Sequence, residues 1–149
     1  MSLQEKVMAA MKDAMKSKDQ TALTALRAVK SAILLAQTES GAKEDLTEEQ
    51  ELKLLQKQVK QRKDSAAIYI EKGREDLAAP ELAEAEVISQ FLPEALSEEE
   101  ITMVVEETIL KVGADGMKDM GKVMGIVSKQ LAGQADGKTI SGIVKEKLS

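Results

Sequence analysis

The chain of 149 residues carries 21 Lys and Arg against 26 Asp and Glu, a formal net charge of −5, and 43% of its residues are hydrophobic. Its aromatic residues are Tyr69 and Phe91, and it contains no Cys, His or Trp. These absences exclude a disulfide framework, a Cys/His zinc site and catalysis by a Ser-His or Cys-His pair. Two aromatic side chains are also too few for a platform on which nucleic-acid bases stack. The composition therefore favours a binding module over an enzyme.

Apolar residues recur with helical spacing along the first half of the chain, and capping residues and glycines interrupt this spacing. The pattern predicts a first helix over 2–17, two longer helices after it, and a polar loop over 41–46 between those two. The residues predicted to mark their ends are, in chain order, Asp19 as an N-cap, Gly41 as a helix end, Thr47 and Gln50 as a capping box, and Gly73 as the next helix end.

A fourth helix is predicted to begin at Asp76 as its N-cap. Pro80 then falls in the first turn, where a missing N–H is tolerated. Pro93 is predicted to end this helix, because proline cannot continue the hydrogen-bond ladder. The segment from Phe91 to Leu96 is interpreted as a hinge.

The last third of the chain predicts three short helices separated by glycine-containing turns. A capping box of Ser97 and Glu100 begins the first of them, and Gly113 ends it. The second lies between two glycine turns, and Asp136 is the predicted N-cap of the last helix.

No sustained alternation of apolar and polar residues indicates a strand, so the predicted fold class is all-α. The composition changes near the predicted hinge. We therefore expect a helical N-terminal domain over 1–96, followed by a small three-helix domain over 97–149.

Carboxylates are abundant, but their spacing does not indicate a catalytic site. In runs such as Glu98-Glu99-Glu100, successive side chains point to different faces of the predicted helix. Catalysis by a carboxylate pair needs one group in a desolvated environment beside its partner. A phosphate-binding loop and the acidic spacing of an EF-hand are absent as well. The sequence predicts no catalytic residue, no cofactor and no metal site.

The segment Gly121–Gly125 contains two glycines four residues apart in a predicted helix, each costing up to about 1 kcal/mol in helix propensity. Glycines also remove side chains from one helix face, which permits close approach of another helix or of a phosphate backbone. The turn Gly133–Gly137 adds exposed N–H groups at a helix N-terminus, a predicted anion site. Lys122, Lys129 and Lys138 lie in or beside these elements.

These stretches resemble a known family. The C-terminal segments that look like the tail domain of the B subunit of the tRNA-dependent amidotransferase are Gly121-Lys122-Val123-Met124, Gly133-x-Ala135-Asp136-Gly137-Lys138 and Ile143-Val144-Lys145-Glu146-Lys147-Leu148. The N-terminal segments that resemble the free-standing YqeY proteins are Leu26-Arg27-Ala28-Val29-Lys30-Ser31-Ala32-Ile33, Arg62-Lys63-Asp64-Ser65, Gly73-Arg74-x-Asp76-Leu77 and Leu92-Pro93. Together they span essentially the whole chain.

The resemblance implies a two-domain helical protein. In the amidotransferase the related tail helps to hold tRNA, while kinase and transfer chemistry lie in other domains and subunits. The resemblance and the basic character of the segment together select Gly121, Lys122, Lys129, Gly133, Gln134 and Lys138 as tRNA-binding residues. Gln134 stands where the family often has Lys or Arg, which implies a weaker attraction for phosphate.

The predicted function is a non-catalytic, tRNA-binding-like accessory module that assists glutamine-dependent tRNA amidation. Its expected partners are tRNA and a protein of tRNA aminoacylation or amidation. One alternative is a helical protein–protein interaction adaptor without nucleic-acid binding. Another is a carbon–nitrogen ligase assignment, with glutamine as amido-N-donor, whose chemistry lies in a partner. DNA is not expected as a ligand, because the last helix, Thr139–Leu148, offers no Arg, Asn or Gln for base edges.

The longest wholly apolar run, Ala32–Ala36, is far shorter than the roughly 18 residues of a transmembrane helix. The segment 1–18 is amphipathic and lacks the apolar region of a secretory signal. The sequence therefore predicts a cytoplasmic protein with no membrane partner.

Overall fold

The computed structural model describes residues 2–39 and 45–149, and the regular secondary structure of this part of the chain is entirely helical, which confirms the all-α fold class. The helices are α1 (Leu3–Ser17), α2 (Gln20–Glu39), α3 (Glu48–Glu71), α4 (Glu75–Ser89), α5 (Glu98–Val112), α6 (Met120–Gln130) and α7 (Gly137–Leu148). A short 3₁₀ turn, Met117–Asp119, precedes α6.

The chain divides into two compact units, Met1–Leu92 and Pro93–Ser149, called the N-terminal and C-terminal units below. The predicted boundary after residue 96 falls inside the C-terminal unit. The reason is a contact of Leu96, whose N–H donates a hydrogen bond to the carbonyl oxygen of Gln134 at 3.0 Å. Leu96 also packs against the core of that unit.

In the N-terminal unit, α1 packs on α2, α3 packs on α4, and α2 also contacts α4. Its core consists of aliphatic side chains, among them Val7, Leu26 and Leu55, with Phe91 packed at the margin. Arg62 of α3 and Glu84 of α4 form an ion pair at 3.6 Å, with both side chains largely buried. The unit is thus held by interlocking aliphatic stripes and one partly buried charge pair.

Several predicted helix boundaries are confirmed. Asp19 accepts a hydrogen bond from the Ala22 N–H at 3.0 Å, as an N-cap does. The capping boxes at Thr47 and at Ser97 are both formed. Gly113 ends α5 in the left-handed conformation, with φ of 67°, which favours glycine. The predicted helix end at Gly41 lies outside the described residues, as does most of the predicted loop.

Three predictions around α4 are wrong. Asp76 is not the N-cap: the cap position belongs to Arg74, whose guanidinium donates two hydrogen bonds of 3.0 Å to the Asp76 carboxylate. Pro80 lies beyond the first turn, inside the helix, and α4 continues through it. Pro93 does not end α4, because the helix already stops at Ser89.

The C-terminal unit consists of α5, α6 and α7 around one small core, in agreement with the predicted three helices. Each helix contributes a single buried stripe, and the buried side chains of this core are Ile101, Val105, Val123, Val127, Leu131, Ile140, Val144 and Leu148. The opposite face of each helix is therefore left to the surface of the unit. These outward faces are where a ligand could be contacted.

The capping box of α5 should contribute measurably to stability. The Ser97 hydroxyl accepts from the Glu100 N–H at 3.2 Å, and the Glu100 carboxylate accepts from the Ser97 N–H at 3.2 Å. We expect Ser97→Ala to lower the free energy of unfolding by about 1 kcal/mol, measured by urea denaturation and far-UV circular dichroism. Thr102→Ala is the matched control, because the Thr102 hydroxyl donates to a carbonyl of its own helix. A loss no larger than in that control would contradict the role of the cap.

Candidate nucleic-acid interface

The outward face of α6 carries two lysines. Val123 and Val127 turn the other face of this helix into the core. Lys122 and Lys129 are exposed and seven residues apart, which places them about two turns, or roughly 10.5 Å, apart along the helix axis. Two cations on one side of a short helix at this spacing can contact separate phosphates of one nucleic-acid strand.

The glycines of α6 lie on the same outward face. Gly121 and Gly125 are both exposed, and a Cβ atom built on either would meet no described atom within 4 Å. Packing against another helix of this chain therefore does not explain the pair among the described residues. Of the two explanations for the glycines, close approach by something outside the chain remains.

The same arrangement recurs on α7. Lys138 and Lys145 are exposed and again seven residues apart, and Gly142 lies between them with open space around its Cβ position. Gly142 and Lys145 are not among the tRNA-binding residues that the sequence selects. A signal that could have found them is present in the sequence, because both helices carry a Gly-Lys pair followed by a second lysine seven residues later.

The turn between α6 and α7 places two selected residues in a structural role. Gly133 is buried and has φ of 82°, a conformation that favours glycine. The Gln134 N–H donates to the Leu131 carbonyl oxygen at 2.9 Å, and the Gln134 carbonyl accepts from the Leu96 N–H. This turn thus fixes the start of α7 against the segment before α5, and the structure does not bring Gly133 to the surface.

The predicted anion site at the α7 N-terminus is already filled by the chain itself. The Asp136 carboxylate accepts hydrogen bonds from the N–H groups of Lys138 at 2.6 Å and Thr139 at 3.0 Å. The expectation of exposed N–H groups at this turn is therefore wrong. The carboxylate also adds a negative charge that opposes phosphate binding at this position.

Charge is segregated within the C-terminal unit. Residues 94–112, which include α5, carry six Glu and one Lys, whereas residues 113–149 carry six Lys against four acidic residues. Lys147 is tied to α5 by an ion pair of 3.0 Å with Glu106, which raises the pKa of that lysine. The four lysines on the outward faces of α6 and α7 are therefore the cations of this segment best placed for an external anion.

The described part of the chain lacks the features of two other kinds of site. Within residues 2–39 and 45–149, no helix combines the length and the apolar character that crossing a membrane requires. The same residues contain no group of three or more acidic side chains that could hold a metal ion.

Comparison with known proteins identifies the family. The model of the Yqey-like protein family matches residues 4–148. The altered inheritance of mitochondria protein 41, mitochondrial, of Pyrenophora tritici-repentis is 31% identical over 144 residues, which cover 95% of this chain and 78% of that protein. Its namesake from Clavispora lusitaniae is 34% identical over 124 residues, covering 81% of this chain and 69% of that protein. The chain therefore belongs to the Yqey-like protein family.

A third relative connects the chain to tRNA amidation. It comes from Thermococcus gammatolerans, is named as a glutamyl-tRNA(Gln) amidotransferase subunit, and is 36% identical over 73 residues. The match covers 46% of this chain but 12% of that protein. The resemblance to an amidotransferase component that the sequence suggested is thereby confirmed at the level of a shared segment.

The predicted cytoplasmic location is contradicted. The relatives from Pyrenophora tritici-repentis and Clavispora lusitaniae are both named as mitochondrial proteins. The prediction is wrong because it rests on the absence of a long apolar run and of a secretory signal. Neither absence distinguishes one aqueous compartment from another.

The open space around the α6 glycines leads to a stability prediction. We expect Gly121→Ala and Gly125→Ala each to raise the free energy of unfolding by about 0.5–1 kcal/mol, because alanine loses less backbone entropy in a helix and meets no neighbour here. Chemical denaturation of each variant measures the change. Gly113→Ala is the control and should destabilise, since its φ of 67° is unfavourable for alanine. Destabilisation by both α6 variants would show that the glycines are needed for folding.

Proposed function

We propose that this member of the Yqey-like family is a non-catalytic accessory module that binds tRNA and assists glutamine-dependent tRNA amidation. The lysines that contact phosphate are Lys122 and Lys129 on α6 and Lys138 and Lys145 on α7. The observation that carries the proposal is the repetition, on two consecutive helices, of exposed lysines one heptad apart with an unobstructed glycine between them.

The glycines complement the lysines in this proposal. A lysine reaches a phosphate from a distance, whereas a glycine lets the sugar-phosphate backbone approach the helix surface itself. Contacts of this kind position a nucleic acid without reading its bases. The module therefore recognises the shape of tRNA and the spacing of its phosphates, as proteins commonly do with folded RNA.

The relative named as a component of glutamyl-tRNA(Gln) amidotransferase supports the choice of tRNA over other anions. Because the matched segment is a small part of that protein, the amidation chemistry belongs to other parts of such an assembly. The absence of Cys and His from the sequence agrees with a supporting rather than a catalytic role. The adaptor and ligase alternatives remain open to the experiments below.

The lysines should account for the salt dependence of tRNA binding. We expect a variant with all four changed to alanine to bind more weakly, and its slope of log affinity against log salt to fall by about 0.7–0.9 per lost phosphate contact. The affinity should fall similarly for unrelated tRNAs, because phosphate contacts carry little sequence information. Fluorescence anisotropy with labelled tRNA at several salt concentrations measures both quantities.

The matched control removes four exposed lysines of the N-terminal unit instead, at positions Lys12, Lys16, Lys57 and Lys63. This variant has the same net charge as the test variant. If the two variants lose the same affinity and slope, the attraction is unspecific and the assigned surface is wrong. If the wild type does not bind tRNA at low salt, the proposed function itself is wrong.

The glycines separate a binding role from a structural one. We expect Gly121→Ala and Gly125→Ala together to weaken tRNA binding several-fold while leaving the salt slope unchanged, because they obstruct close approach without removing a charge. Stability would rise in the same variant, so a binding loss could not be attributed to unfolding. Unchanged affinity would show that the glycines take no part in binding, whereas the lysine experiment would still decide the rest of the proposal.

A further inference from the structure

The outward face of α5 exposes two large apolar side chains. Met103 is 61% exposed, and Leu110 is 83% exposed, the largest value for a large apolar residue in the described part of the chain. The two are seven residues apart and therefore lie on one side of the helix. Ile101 and Val105 occupy the opposite side and are buried in the core of the C-terminal unit. The pair contributes nothing to that core, so its apolar character has no structural explanation within the unit.

Carboxylates flank these apolar side chains on both sides. Glu99 and Glu106 lie on one side of the line from Met103 to Leu110, and Glu107 lies on the other, as the helical repeat of 3.6 residues places them. All three are exposed. Glu106 is also bonded to Lys147, which fixes that carboxylate at the border with α7. We call these five residues of α5 — Glu99, Met103, Glu106, Glu107 and Leu110 — the acidic-apolar face.

We propose that the acidic-apolar face is a docking surface for a basic amphipathic helix of a protein partner. Such a helix would lay its apolar stripe along Met103 and Leu110 and direct its Lys or Arg side chains to the flanking carboxylates. Apolar anchors one heptad apart match the spacing at which one helix presents side chains to another. The inference goes beyond tRNA binding, since it concerns a different helix and a ligand of opposite charge.

Charge selects this partner among the possible ligands. Residues 94–112 carry six carboxylates and one lysine, so the face repels the phosphates of nucleic acid and the anionic surface of a lipid bilayer. A second copy of the chain is also disfavoured, because a two-fold contact would place the same carboxylates of both copies opposite each other. A cationic partner with an apolar stripe satisfies both features of the face.

The test uses the full-length chain and a labelled synthetic peptide. The peptide is a helix of about three heptads with leucine at the stripe positions and lysine beside them, and a second peptide replaces every lysine with glutamate. We expect the lysine peptide to bind, detected by fluorescence anisotropy, and the glutamate peptide not to bind. The double variant Met103→Ser/Leu110→Ser should lose affinity about tenfold or more. Glu99→Gln/Glu107→Gln should lose affinity and show a weaker salt dependence.

Leu35→Ser is the matched control, because Leu35 is similarly exposed on α2 of the other unit. It should leave peptide binding unchanged, and circular dichroism should show all variants to be folded. Equal losses in the control and in the α5 variants would overturn the proposal, as would a wild type that binds neither peptide or both. A concentration-dependent dimer that Leu110→Ser dissociates would also overturn it, since the occupant would then be a second copy. The α5 serine variant should retain wild-type tRNA affinity, so failure of this inference is distinguishable from failure of the proposed function.

Discussion

The small aliphatic core of the C-terminal unit determines what the rest of that unit can do. Three short helices close it with one buried stripe each, made mostly of Val and Ile, and no aromatic side chain contributes. A core of this size is only marginally stabilising, so capping interactions at the helix ends matter more than they would in a larger domain. Because each helix buries a single stripe, each also keeps an outward face that is free for binding.

These outward faces differ in chemistry from one helix to the next. On α6 and α7 they carry lysines with glycines between them, and on α5 they carry apolar side chains between carboxylates. The ion pair between Glu106 and Lys147 lies at the border between the two regions and links α5 to α7. One small unit can therefore present a cationic surface to an RNA and an acidic-apolar surface to a protein. An accessory protein that brings a tRNA to an enzyme needs two such surfaces.

Features that depend on a few neighbouring residues could be predicted from the sequence. The capping boxes at Thr47 and Ser97 involve side chains three residues apart, so their pattern is sufficient. The start of α4 is misplaced in the sequence prediction because the Arg74 guanidinium binds the Asp76 carboxylate, a pairing that competes with the capping role of aspartate. Position along the chain also does not reveal that Pro80 can lie inside a continuing helix. In the candidate site, burial removes Gly133 from the surface, and Asp136 fills the very N–H groups that were expected to bind an anion. Both outcomes depend on three-dimensional packing and on hydrogen bonding within the chain, and neither can be read from residue spacing.

The central claim is that the outward faces of α6 and α7 are where tRNA binds. The most direct test is to titrate the ¹⁵N-labelled full-length protein with tRNA and follow the backbone amide resonances. The account predicts that the resonances of exposed residues on α6 and α7 shift or broaden first, while those of α5 and of the N-terminal unit remain in place. Changes centred on the N-terminal unit or on α5, or no changes at all at low salt, would contradict it.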